Sequence, residues 1–283
     1  MYPVSLITFH FEMKALKHTC LFLLLWSCEE LNLEQNANLV VVEGYLSDNL
    51  GHQKVSITRT TSFENPENSI PIETANIIVE SSLNETYLFE YDDEGIYLSS
   101  EPFMGLENVT YRLIIDLEDN VIIRSTSLKM PGPAKMDSLW FESLTDDNAN
   151  EVEVLYFPVI ASSDDLANQD FYYYRIHRNG TYLNDPSFIF LKEDLFFNGN
   201  EFKEEFRSIE LIENDIISVE IRKISQEIFE YYSILREQTI SISANQNVVP
   251  ASIFGNLSSN DNQTVLGFFS VFASDSRSNT VSQ

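Results

Sequence analysis

The chain has 283 residues, of which 43% are hydrophobic, and its 20 Phe and 13 Tyr supply enough apolar surface for packed cores, which excludes global disorder. Its formal net charge of -27 excludes strong attraction to nucleic acid phosphates or anionic lipid headgroups, because both partners need a basic surface. The two cysteines, Cys20 and Cys28, lie in the first 28 residues, so the rest of the chain contains no disulfide of its own.

An export signal is the first predicted element along the chain. A short basic segment at residues 13–17 precedes an almost wholly apolar run at residues 20–26. This is the order of the basic and hydrophobic regions of a signal peptide. The apolar run is too short to cross a bilayer core of about 30 Å, which requires roughly 20 helical residues. We therefore expect a signal peptide over residues 1–28, and Met13 is a more suitable start than Met1.

The end of this signal resembles the lipobox of bacterial lipoproteins. Leu25 occupies the position of the usual leucine, and the small residue Ser27 directly precedes Cys28. Trp26 departs from the pattern, in which a small residue is usual. The alternative is an ordinary secretory signal that happens to contain a cysteine. The resemblance implies cleavage before Cys28 and attachment of lipid to that cysteine.

The residues after Cys28 indicate where the protein is anchored. Glu29 and Glu30 resemble the surface-export signal of Bacteroidota lipoproteins, whereas similar residues in other Gram-negative groups direct retention at the inner membrane. We predict a lipid anchor in the outer membrane facing the cell surface, followed by a polar tether over residues 29–38.

From Leu39 the sequence alternates between short strand-like segments and turn residues, at a spacing that favours a β-sandwich over βαβ units. Tyr111 either ties its hydroxyl to upstream backbone, as the tyrosine corner of immunoglobulin-like domains does, or is a plain packed tyrosine. We predict an immunoglobulin-like β-sandwich over residues 39–130. Its seven strands are predicted at residues 39–46, 54–61, 76–81, 86–91, 95–99, 109–116 and 121–128.

A domain boundary is predicted at Pro131, because Met130-Pro131-Gly132-Pro133 leaves little backbone able to pair in a ladder or helix. Alternating segments resume beyond it, which predicts a second, mainly β domain over residues 131–278. One amphipathic helix is predicted near residues 225–238, with Ser225 as its N-cap. Residues 279–283 are predicted to form a tail. With 283 residues, two domains are the expected number.

The sequence lacks the residue patterns of the common enzyme classes. After signal cleavage only His52 and His177 remain, without a free cysteine, so neither a histidine-rich zinc site nor a Cys-His nucleophile can be built. Acidic pairs could in principle cut a glycosidic bond, but they lie in apparent turns and lack calcium-loop spacing. These pairs are Asp92-Asp93, Asp146-Asp147 and Asp164-Asp165. We expect no catalytic residue, metal site or cofactor.

Four phenylalanines form the strongest candidate for a contact surface. Phe188, Phe190, Phe196 and Phe197 lie close together in the sequence. An exposed aromatic patch suits a glycan or a protein partner, and the packed core of a hairpin explains the same pattern.

Several phrases, together with the lipoprotein-like start, resemble the Bacteroidota outer-membrane lipoprotein family catalogued as domain of unknown function 4249. They are residues 39–46 (LVVVEGYL), 71–77 (PIETANI), 95–97 (GIY), Gly105 with 111–113 (YRL), 136–139 (MDSL), 224–225 (IS) and 266–270 (LGFFS). The resemblance implies a companion of TonB-dependent outer-membrane receptors, and it carries over no activity and no catalytic residue.

The expected function follows from the anchor and the resemblance. We predict a non-enzymatic surface lipoprotein that assists a TonB-dependent receptor in nutrient uptake. The alternatives are a surface glycan hydrolase and a structural or adhesive surface module.

Overall fold

The computed structural model describes residues 38–61, 69–144, 154–166, 169–243, 253 and 255–282. The predicted signal peptide, Cys28, residues 29–37 of the predicted tether and the Asp146-Asp147 pair lie outside the described residues. Within the described part of the chain, no helix is both long and apolar enough to span a membrane.

The first half of the described chain is built from strands. They are β1 (Val40–Ser47), β2 (Lys54–Arg59), β3 (Ile70–Pro71), β4 (Ala75–Ser81), β5 (Thr86–Tyr91), β6 (Ile96–Ser99), β7 (Thr110–Leu117), β8 (Ile122–Ser125) and β9 (Leu128–Lys129). Each of the seven predicted strands overlaps with one of these. The prediction of a mainly β protein is confirmed.

The second half is also mainly β. Its strands are β10 (Met136–Leu144), β11 (Leu155–Ser163), β12 (Phe171–Arg178), β13 (Thr181–Tyr182), β14 (Phe190–Glu193), β15 (Glu201–Glu205), β16 (Ile216–Ile224), β17 (Leu257–Ser259) and β18 (Val265–Thr280). The helix α1 (Gln226–Ser243) begins directly after Ser225, whose hydroxyl accepts a hydrogen bond from the Ile228 N–H. The predicted N-cap is therefore present, and the helix extends five residues beyond the predicted end at residue 238.

The strand β7 shows why these residues form a half-buried sheet. Tyr111, Leu113 and Ile115 are completely buried, while the residues between them remain partly accessible. This is the expected result of side chains that point to opposite faces in turn. The Tyr111 hydroxyl accepts a hydrogen bond of 2.8 Å from the backbone N–H of Leu106. The phenol is thus tied to backbone five residues upstream, which the sequence had left as one of two alternatives.

Seven strands of the first half, followed by β17 of the second half, form one hydrogen-bonded series in the order β1-β2-β6-β5-β4-β7-β8-β17. All these neighbours pair antiparallel. Buried side chains from β1, β2, β4, β5, β6, β7 and β8 belong to one hydrophobic cluster. The series therefore curls around a single core instead of remaining flat.

The last strand, β18, joins the first core to the second half of the chain. Its residues 265–272 pair in parallel with β1, and its residues 273–280 pair antiparallel with β16. β16 in turn pairs with β12, which places the second half on the same continuous sheet. A separate three-stranded sheet, β10-β11-β15, also belongs to the second half.

The structure does not separate the chain into two units at Pro131, where the sequence predicts a domain boundary. A second hydrophobic cluster lies wholly after Pro131, but the first cluster also includes Phe171, Ile224 and Phe268 from the later part of the chain. Residues from Asn38 onward accordingly form one compact unit. The predicted tail also differs, because β18 continues to Thr280 and the following Val281 is buried in the second cluster.

Candidate functional site

The four predicted contact phenylalanines do not lie in one exposed patch. Phe188, Phe190 and Phe197 are half-buried and pack against the second hydrophobic cluster. Phe196 differs, because 93% of its surface is exposed. The structure therefore leaves only Phe196 of this set free to contact a partner with its whole ring.

Phe196 sits on a turn between β14 and β15 that is held by backbone hydrogen bonds. The Asp194 carbonyl accepts from the N–H groups of Phe197 and Asn198 at 2.8 and 2.9 Å. The Phe197 ring is anchored 4.2 Å from the Phe202 ring, between ring centroids. The turn thus has a packed base below an exposed aromatic residue.

Two exposed leucines accompany Phe196. Leu195 is 60% exposed and Leu166 is 81% exposed. The Leu166 side chain lies against Gly199, where an added Cβ would come within 2.3 Å of it. We call Leu166, Leu195 and Phe196 the apolar tip.

A cluster of carboxylates surrounds a buried lysine beneath the apolar tip. Asp164, Asp170 and Asp194 each place one carboxylate oxygen within 4.8 Å of the others. Lys223 Nζ lies 2.6 Å from Asp170 Oδ2 and 2.9 Å from Asp165 Oδ2, and the Lys223 side chain is 3% exposed. Asp164 also accepts a 2.9 Å hydrogen bond from the Gly199 N–H of the tip turn. The ammonium therefore supplies the positive charge that this cluster requires.

Burial controls the protonation of this cluster. It raises the pKa of Asp170 to about 6, against the opposing effect of the hydrogen-bonded Lys223. It also raises the pKa of Asp194, although the Asp170 N–H donates to Asp194 Oδ2 at 2.9 Å. Burial alone would lower the pKa of Lys223, but the paired carboxylates of Asp170 and Asp165 raise it. The cluster is thus an internal ion-pair network whose integrity depends on Lys223.

A cavity of about 410 Å³ lies between α1 and the β-sheet, on the part of the chain where the two halves meet. Its size is within the range of small-molecule sites. Aromatic residues dominate its lining: Tyr45, Tyr173, Tyr182, Tyr231, Tyr232 and Phe268. Two arginines, Arg175 and Arg222, and the carboxylate of Glu43 are its charged groups. We call this site the tyrosine–arginine cavity.

The aromatic rings of this cavity hold one another in place. Tyr173 stacks on Tyr232 with 4.4 Å between ring centroids, and its hydroxyl lies 2.7 Å from the Tyr182 hydroxyl. Tyr45 packs edge-to-face on Phe268 at 5.5 Å. Such contacts orient the rings and reduce the conformational entropy that a ligand would otherwise have to remove.

Arg222 is the most deeply buried charge of the cavity. Its side chain is 8% exposed, and Nη2 donates a 3.0 Å hydrogen bond to Glu220. Among the described residues, no acceptor hydrogen-bonds the buried Arg222 Nε–H. Glu220 also lies 4.0 Å from Arg175, so one carboxylate serves two guanidinium groups. Arg222 therefore places a cationic side chain in the aromatic lining of the cavity.

Several groups in the cavity have shifted pKa values. Burial and, to a smaller extent, the charge of Glu43 raise the pKa of Tyr45 and of Tyr231 to about 12 each. Burial also raises the pKa of Glu43, although Lys54 and Arg175 act in the opposite direction. Glu43 still exposes more than a third of its surface, so its carboxylate remains in contact with solvent. The phenols stay neutral at physiological pH and offer hydroxyl donors.

Sequence reasoning missed this cavity because its lining combines residues of β1, β12, β13, β16, α1 and β18. Arg222 shares one face of β16 with Ser218 and Glu220, and α1 covers the end of that face. Tyr231 and Tyr232 were visible only as part of the apolar stripe of the helix. Predicting a buried arginine that faces a tyrosine-rich helix would have required knowledge of the sheet face on which the helix packs.

The two histidines of the described residues, His52 and His177, have ordinary environments. His177 is half-buried on β12, and burial together with the nearby Arg175 lowers its pKa. His52 Nδ1 contacts the Ser99 carbonyl. Neither histidine belongs to the cluster of possible metal ligands found among the described residues.

Comparison with known proteins bears on family membership. The chain has no match among curated proteins. Residues 29–278, most of the chain, match the family described as "Domain of unknown function (DUF4249)". The chain therefore belongs to that family.

Proposed function

We propose that this protein is a lipid-anchored lipoprotein of the bacterial outer membrane, of the kind found in Bacteroidota, that faces the cell surface. In this proposal it acts as a non-enzymatic partner of a TonB-dependent receptor in nutrient uptake. Two features support the anchor. The family match begins at residue 29, directly after Cys28, and the polar tether over residues 29–38 reaches roughly 33 Å when extended. The body would therefore stay beside receptors in the same membrane.

The apolar tip is the observation that carries the receptor partnership. Phe196 is 93% exposed on a turn whose base is packed and hydrogen-bonded. Large aromatic side chains that fit a pocket on a partner contribute much of the energy of protein–protein binding. A turn that is already ordered loses little entropy on binding, which favours its use as a contact.

We further propose that the first half of the chain is an immunoglobulin-like sandwich. The series β1-β2-β6-β5 and the series β4-β7-β8 have the strand order of the two sheets of an immunoglobulin constant domain. The hydrogen bond between the Tyr111 hydroxyl and Leu106 at the start of β7 supports the same interpretation, because a tyrosine corner occupies this place. Pairing between β5 and β4 joins the two series at one side.

The lipid anchor is tested by intact-mass analysis of full-length protein extracted from membranes. We expect the wild-type mass to include cleavage before Cys28 and lipid on that residue, while a Cys28→Ser variant remains unprocessed. Cys20→Ser serves as the control, because Cys20 lies inside the signal and its loss leaves processing intact. An unmodified Cys28, or lipid retained by Cys28→Ser, would contradict the anchor.

The receptor partnership is tested by co-purification from outer membrane solubilised in mild detergent. We expect a TonB-dependent receptor to co-elute with the tagged wild-type protein. Phe196→Ser should weaken the complex by about 30-fold, since removing a central aromatic contact costs about 2 kcal/mol. Leu88→Ser is the matched control, because Leu88 is also an exposed apolar residue, at 60%, and lies on β5 in the first half.

Three outcomes would contradict this function. The first is that no receptor co-elutes with the wild-type protein. The second is that Phe196→Ser and Leu88→Ser recover equal amounts of receptor. The third is degradation of a polysaccharide by the purified protein, which would support a surface hydrolase instead.

A further inference from the structure

We propose that the tyrosine–arginine cavity binds a small organic anion, one that carries a carboxylate on a flat, ring-shaped body. The inference does not rest on the receptor partnership, because a purified protein without any partner suffices to test it. Its starting point is the position of Arg222, which the protein buries in a cavity large enough for such a molecule.

The charge of the cavity favours an anion. The chain carries a formal charge of -27, yet the guanidinium groups of Arg175 and Arg222 share the single carboxylate of Glu220. The carboxylate that lines the cavity, Glu43, is opposed by Lys54 on the neighbouring strand as well as by Arg175. Among the residues that line the cavity, the two guanidinium charges therefore exceed the single carboxylate by one. The lining carries an excess of positive charge in a strongly acidic protein.

The two guanidinium groups of the lining point to a carboxylate. Arg175 and Arg222 both line the cavity, and both contact the carboxylate of Glu220. A carboxylate suits a guanidinium because two oxygens match the planar array of N–H donors. A bound carboxylate would therefore pair with N–H groups of these arginines that Glu220 does not use.

The aromatic lining determines the shape of the rest of the ligand. Tyr173 and Tyr232 form a stack, and Tyr231 and Phe268 lie 5.0 Å apart between centroids at the same site. Ring faces and edges of this kind bind flat apolar bodies, while phenol hydroxyls donate to polar substituents. These rings favour a ring-bearing carboxylate over a compact inorganic anion.

A paired-ligand titration tests the proposal. Full-length protein in detergent is titrated with indole-3-acetate and with its neutral isostere indole-3-acetamide, and binding is followed by ligand NMR. We expect the acid to bind with a Kd of about 1 mM or tighter, which is typical for a ligand of this size. The acid should bind at least about tenfold more tightly than the amide, because hydrogen bonds to charged groups are the stronger ones.

Variants locate the binding to the cavity. Arg222→Gln should abolish the preference for the acid, and Arg175→Gln, at a less buried position, should reduce it. Arg207→Gln is the matched control, because Arg207 also lies over an aromatic ring, that of Phe157, but outside the cavity. It should keep the full preference. If Arg222→Gln does not fold, the Arg175→Gln and Arg207→Gln pair still decides the result.

The proposal is overturned if the acid and the amide bind equally to the wild-type protein, or if neither binds saturably at 10-fold above the expected Kd. It is also overturned if folded Arg222→Gln and Arg175→Gln both retain the wild-type preference. Loss of the preference in Arg207→Gln would likewise contradict it, because binding would then lie outside the cavity.

Discussion

Replacing Gly267 by alanine is expected to destabilise the protein by about 3 kcal/mol or more, from two causes. Gly267 has φ of +90°, a conformation that costs other residues about 1–2 kcal/mol. An added Cβ would also lie 1.9 Å from the carbonyl oxygen of Val42, the residue with which Gly267 pairs across the β1–β18 ladder. Both atoms in this overlap are held by the sheet, so neither can move without breaking the pairing that closes the first core.

Alanine substitutions at two other glycines separate the effect of the positive φ from the effect of the steric overlap. Gly51→Ala is expected to be almost neutral, because open space surrounds the new Cβ. Gly180→Ala should cost about 1 kcal/mol, because Gly180 has φ of +81° but no atom within 4 Å. Urea unfolding should show the smallest loss of stability for Gly51→Ala, an intermediate loss for Gly180→Ala and the largest loss for Gly267→Ala. Equal losses for Gly180→Ala and Gly267→Ala would contradict the role assigned to the overlap with Val42.

Replacing Lys223 by methionine is expected to cost about 3–5 kcal/mol at pH 7.5. Methionine fills a similar volume but leaves the buried carboxylates of Asp170 and Asp194 without a cation. The free energy of unfolding is again measured by urea denaturation. Lys203→Met is the matched control, because Lys203 also contacts two carboxylates but is 42% exposed, and its loss should cost less than about 1 kcal/mol.

The pH dependence of this loss has a defined sign. The pKa of Asp170 is raised on folding to about 6, so its ionised form lowers the stability of the folded state above about pH 6, and this cost decreases as the pH falls below 6. Removal of Lys223 raises this pKa further, since Lys223 lowers it in the wild-type protein. The destabilisation by Lys223→Met should therefore shrink as the pH falls from 7.5 to 5 and Asp170 takes up a proton. The additional substitution Asp170→Asn should recover part of the lost stability at pH 7.5. A pH-independent loss, or none at all, would contradict this account.

Local structure was largely predictable from the sequence. The alternation of apolar and polar residues located the strands of the first half, and Ser225 with the spacing of Ile228, Tyr231 and Tyr232 located α1. These signals are readable because side-chain direction repeats every two residues in a strand and about every 3.6 in a helix. The same signals could not divide the chain at Pro131, since they carry no information on which strands pair.

The candidate sites show the same limit at the level of single residues. All four phenylalanines of the predicted contact set are apolar, and only packing decides that Phe197 anchors a turn while Phe196 points into solvent. Lys223 follows Arg222 directly, yet the two side chains serve different sites on opposite faces of β16. The period of a strand predicts that they diverge, but not what each one meets.

The sequence by itself determined the mainly β composition, the position of the helix and the strongly acidic character of the chain. Only the tertiary structure decided that β18 returns to pair with β1, that Lys223 neutralises a set of buried carboxylates, and that α1 covers Arg222 with tyrosines. The physical reason is distance along the chain. Propensity and periodicity act between near neighbours, whereas Val42 and Gly267, or Tyr45 and Arg222, meet only when the ladder between distant strands has formed.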